Sequence, residues 1–92
     1  MLPLLAAIVL HSAPVATLRK ASVDLDAGDP KQLIFAQLGA PDKSELKTCG
    51  TKTAQPWTCL AWSYLASDSP QYLEILFSKT DDGMWVVSGW TL

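Results

Sequence analysis

Three sets of side chains in this 92-residue sequence could do chemistry: the cysteines Cys49 and Cys59, the carboxylates Glu45, Glu74, Asp81 and Asp82, and the four tryptophans. The cysteines stand about ten positions apart, a spacing that fits neither a CxxC redox pair nor half of a four-ligand zinc site. They read as a structural disulfide formed in an oxidising compartment, the alternative being two buried reduced thiols. Closing so short a loop stabilises a fold by roughly 2–3 kcal/mol in the chain-entropy model.

The groups that acid–base chemistry needs are sparse. The one histidine, His11, falls in a stretch read below as a leader, which leaves no imidazole for proton transfer or metal ligation in the remainder. Glu45 and Glu74 are far apart in sequence among ordinary polar neighbours and read as solvated surface. Asp81, Asp82 and Gly83 lack the alternating oxygen ligands of a calcium loop and read as a turn. There is no glycine-rich phosphate loop, nucleophile elbow or Cys–His arrangement. The expectation is a protein with no catalytic residue, no metal and no cofactor.

The aromatic residues carry the functional expectation instead. Trp57, Trp62, Trp85 and Trp90 are more than a small core easily holds while giving each indole N–H a partner. Core packing is the default for any one of them, but the set should place at least one on a binding surface, where aromatics are favoured anchors. With Tyr64 and Tyr72 they form the expected partner-binding set.

These residues must be positioned by a small domain. The segment GDPKQLIFAQLGAPD is punctuated as a helix: Asp29 as the cap, Pro30 at the first helical position, Gly39 closing it and Pro41 preventing its resumption. Ile34, Phe35 and Leu38 form its apolar stripe. Before it, Leu18, Ala21 and Leu25 fit a helix while Val23 and Leu25 alternate as in an extended arm, and both readings stay open. After a polar stretch, residues 43–47, three strands follow: WTCLAWSYL, YLEILFSK with Leu73, Ile75 and Phe77 on one face, and MWVVSGWTL after a TDDG hairpin turn.

The expected fold is therefore α+β: a short helix, or two, packed on a three-stranded antiparallel meander. One sheet face is covered by helix and the other has nothing in the chain to cover it. Which set of the last strand joins the core depends on a register that one residue of slip would reverse.

Compartment and partner follow from the totals. Seven basic and nine acidic residues give a net charge of −2 with no basic stripe, which argues against nucleic acid. Residues 2–10 are an apolar run too short to span a membrane, followed by small residues, as in a secretory leader covering residues 1–17. The alternative is an N-terminal strand or helix of the domain. The leader reading leaves a single domain over residues 18–92, periplasmic or secreted, with no transmembrane segment after processing.

The motifs AGDPKQLIFAQLGAPD, WSY, YLEILFSKTDDG and WVVSGW, over about residues 25–92, resemble the BamE (SmpA/OmlA) family of small envelope proteins. Gly28, Leu38, Gly39, Pro41, Asp42, Trp62, Tyr64, Phe77 and Gly83 stand at that family's pattern positions. The resemblance implies helices followed by a three-stranded sheet and a role in envelope assembly or maintenance. A similar architecture occurs in secreted β-lactamase inhibitor proteins, which hold their enzyme on an aromatic sheet face. The chain departs from BamE in having no lipobox cysteine and in carrying Cys49 and Cys59, so membership in a barrel-assembly complex is not implied. The functional expectation is a non-enzymatic module binding a protein or cell-envelope component. A homodimer joined through its open faces is the alternative; a small hydrolase or redox enzyme is a more distant one.

Overall fold

The structure, a computed structural model, describes residues 13–92. Helices α1 (Val15–Val23) and α2 (Lys31–Leu38) precede strands β1 (Lys43–Cys49), β2 (Trp57–Leu65), β3 (Tyr72–Lys79) and β4 (Trp85–Thr91). The strands form one antiparallel sheet in the order β1-β2-β3-β4. The α+β class and the meander are as expected, but the sheet has four strands rather than three.

The added strand is the stretch read above as merely polar. KSELKTC has no apolar alternation because β1 is an edge strand that neither helix covers, so neither of its faces has to be hydrophobic. Its extended form comes from pairing along its whole length with β2, from Lys43 opposite Ser63 to Cys49 opposite Trp57. The Cys49–Cys59 disulfide, with Cα atoms 5.9 Å apart, clasps the loop end of this hairpin.

Both helices lie on one sheet face. Leu18 and Ala21 of α1, Leu25 after it, and Ile34 and Leu38 of α2 meet Leu60, Trp62 and Tyr64 of β2, Leu73, Ile75 and Phe77 of β3, and Val87 of β4. Their burial accounts for most of the hydrophobic stabilisation. The helical reading holds for Leu18 and Ala21, while Leu25 reaches the same core from just beyond the end of α1. α2 ends as its sequence predicts: Gly39 takes a positive φ of 80°, and its N–H donates to the Phe35 carbonyl. Its start differs, because Pro30 rather than Asp29 is the cap residue. The Asp29 carboxylate turns back to accept from the Asp26 N–H at 3.2 Å, while its carbonyl accepts from the Val87 N–H at 2.8 Å.

That last bond belongs to a seal along β4. Gly28 N–H donates to the Val87 carbonyl at 2.7 Å, and Pro30 forms a bridge to Val86, so residues 28–30 run along the outer edge of β4.

Most of the predicted leader, with His11, lies outside the described residues. Its last positions are part of the folded unit. Ala13 is buried in the core, its carbonyl accepts from the Ser67 N–H at 2.8 Å, and the Val15 N–H donates to Asp68 Oδ1 at 2.9 Å as α1 begins. The domain thus reaches back beyond the boundary expected at residue 18. Among the described residues no helix is long and apolar enough to cross a membrane.

The register of β4 holds one irregularity. Phe77 pairs with Val87 and Leu76 with Gly89, so Ser88 is an extra residue, and its hydroxyl donates to the Leu76 carbonyl at 3.2 Å. Trp85, Val87 and Trp90, opposite Lys79, Phe77 and Ile75, consequently share the helix side. Simple alternation without the extra residue would separate Trp90 from the other two.

Candidate partner-binding face

Among the described residues no helix covers the sheet's second face, as the element count predicted. It presents Lys43, Glu45, Lys47 and Cys49 of β1, Trp57, Cys59, Ala61, Ser63 and Leu65 of β2, and Tyr72, Glu74, Leu76 and Ser78 of β3, a set fixed by register with the core residues. The six residues predicted to bind a partner do not all reach it.

Trp57 does. It stands opposite Cys49, it is 45% exposed, and its Nε1–H donates to Ser78 Oγ at 3.2 Å. Gly50, at φ +68°, lets the indole lie directly against the backbone; a Cβ there would come within 2.1 Å of the ring. The disulfide, the glycine and the Ser78 hydroxyl together fix a half-exposed ring, which lowers the entropy lost when a partner packs on it. At the other end Tyr72 lies opposite Leu65, the two 47% and 51% exposed.

Between these apolar ends the face is charged. Lys47 Nζ donates to Glu74 Oε2 at 3.1 Å, reaching from β1 to β3 across the small side chains of β2. The hydrogen bond and charge of Glu74 raise the Lys47 pKa above its ordinary value. Lys43 Nζ lies 3.7 Å from Glu45 Oε1. These four residues, with Ser63, Leu65 and Tyr72, surround a shallow depression of about 260 Å³. Ala61 and Ser63 are buried on the open face, beneath larger neighbours.

The other aromatics point elsewhere. Trp62 is a core residue, meeting Phe77 edge to face at 5.0 Å and Phe35 at 6.4 Å, with Lys31 Nζ 5.9 Å from its ring centre. Tyr64 is fully buried, and its hydroxyl donates to the Gly39 carbonyl at 2.8 Å. Burial, and secondarily the charge of Asp42, push the Tyr64 pKa well above the usual phenol range. Trp62 and Tyr64 therefore leave the candidate surface and become the support beneath it. Trp85 and Trp90 lie on the helix side: Trp85 is half-buried with Lys79 Nζ 5.6 Å from its ring, and Trp90 sits at the end of β4.

Glu45 and Glu74, separated by sequence, line the same depression, each held by a lysine. The signal for this was the alternation Lys43, Glu45, Lys47, a period-two pattern of charges that marks a strand face as well as apolar alternation does. Both cysteines are in the disulfide. Among the described residues no three His, Cys, Asp or Glu side chains gather as a metal site. What this face can do chemically is present an anchored indole, a phenol and alternating charges to a complementary surface.

Neither a protein-family model, nor a curated protein, nor a solved structure matches this chain.

Proposed function

We propose that this chain is a non-enzymatic binding module of an oxidising, extracytoplasmic compartment that holds a protein or cell-envelope component on its open sheet face. The observation that carries the reading is the placement of Trp57. A large aromatic ring is held half-exposed by three separate features on the face opposite the core, where it contributes little to folding. Tyr72 and Leu65 supply a second apolar contact, and the lysine–glutamate centre would select a partner of matching charge pattern. The disulfide supports the compartment, and the BamE-like motifs favour an envelope role.

The test is affinity capture from the source envelope fraction with the wild-type domain, a Trp57→Ala/Tyr72→Ala variant and a Trp90→Ala control. A specific partner should be retained by the wild type and the control and lost by the double variant. Equal retention by all three would refute the assignment to the open face.

A further inference from the structure

The two edges of the sheet differ. Residues 28–30 occupy the outer edge of β4 at Val86 and Val87, whereas among the described residues no strand or bridge pairs with β1 on the side away from β2. A row of backbone N–H and C=O groups is therefore free along β1, ready to pair with another strand.

The sequence of that edge says which strand fits. β1 runs from Lys43 to Cys49, so Leu46 is its central residue. Leu46 is 65% exposed because it points to the helix side while the helices lie over β3 and β4. We infer that β1 pairs with β1 of a second copy, antiparallel about a twofold axis at Leu46, joining two four-stranded sheets into one.

Register decides among the alternatives. Antiparallel pairing about a twofold axis centred on Leu46 overlaps the whole strand and sets Leu46 against the partner's Leu46. On the open face it sets Glu45 against the partner's Lys47, twice by symmetry, and on the helix side Ser44 against the partner's Thr48. Moving the axis to Glu45 would oppose Glu45 to Glu45 and Lys43 to Lys47; moving it to Lys47 would oppose two lysines. Like charges directly opposite are destabilising and opposite charges stabilising. Only the central register combines full overlap, an apolar contact at the axis and paired charges. Alternating charges on an edge ordinarily discourage strand addition; here they discourage the two registers next to the central one, and the registers beyond those give up overlap. The pairing leaves Trp57 and Tyr72 free and engages Glu45 and Lys47 at the margin of the open face's charged centre.

Sedimentation and charge-variant mixing test this. Wild-type protein should sediment at twice the 10.0 kDa chain mass at high concentration and dissociate on dilution. Glu45→Lys and Lys47→Glu should each be monomeric, since each sets like charges opposite one another. An equimolar mixture should restore a dimer, because lysine at 45 then faces glutamate at 47 in one crossing and Lys47 faces Glu45 in the other. Leu46→Cys should cross-link to itself on oxidation, its Cα atoms lying about 4.5–5.5 Å apart across the axis, within disulfide reach. Ser44→Cys, offset by about 13 Å, should not. A wild-type monomer at millimolar concentration overturns the inference. So does a dimer that persists in Glu45→Lys, or cross-linking through position 44 instead of 46.

Discussion

The Tyr64 hydroxyl donates to the Gly39 carbonyl, tying the middle of the sheet to the glycine that ends α2. Phenylalanine at 64 would keep the ring and leave that buried carbonyl without this donor. Tyr64→Phe should cost about 1–2 kcal/mol in denaturant unfolding.

The same burial makes a pH prediction. The folded-state pKa of Tyr64 is raised above its ordinary value of 10.0, so the folded protein holds the phenol proton more tightly than the unfolded chain. The stabilisation linked to this group is fully present below pH 10 and is lost as pH rises from there toward the folded pKa. The wild type should lose stability more steeply above about pH 10 than Tyr64→Phe does. Unfolding midpoints of the two proteins across the alkaline range will check it; parallel curves would contradict it.

Gly50 controls the ring on the open face. Alanine at this position would meet the Trp57 indole and would also occupy a positive φ that L-residues disfavour. Gly50→Ala should cost about 1–2 kcal/mol and expel the indole from its place beside Ser78. A red-shifted Trp57 emission, read against Trp57→Phe, would report the displacement.

The two tryptophans of β2 should separate cleanly by stability. Trp62→Ala removes a ring packed between Phe35 and Phe77 and should cost about 3–5 kcal/mol. Trp57→Ala removes a half-exposed ring and should cost about 1 kcal/mol or less. Paired chemical denaturation curves decide this.

Removing the clasp should cost roughly 2–3 kcal/mol. The comparison is the unfolding midpoint of the oxidised wild type with that of Cys49→Ala/Cys59→Ala.

What was legible in the sequence was local. The end of α2 could be read because Gly39 and Pro41 act through their own backbone chemistry, and β3 because Leu73, Ile75 and Phe77 alternate against a covered face. β1 was missed as a strand because its exposed faces place no apolar demand on its residues, and its one signal, the alternation of Lys43, Glu45 and Lys47, is of charge rather than hydrophobicity. Trp62 and Tyr64 could not be told from surface aromatics because strand composition gives no sign of which face the helices choose. Trp90 joins the side of Trp85 and Val87 because Ser88 adds one residue to β4, and an insertion of that kind leaves no mark in a period-two pattern. Lys47 and Glu74 meet only once three strands are in register.

Residues 28–30, by lying along β4, also determine how many copies a sheet of this kind can join. A protomer with two free edges could add neighbours at both and grow without limit into a fibre. With the start of one edge occupied by its own chain at Val86 and Val87, β4 offers a second copy a shorter edge than β1 does. The turn that leads into α2 thus works against open-ended growth and favours association closed at two.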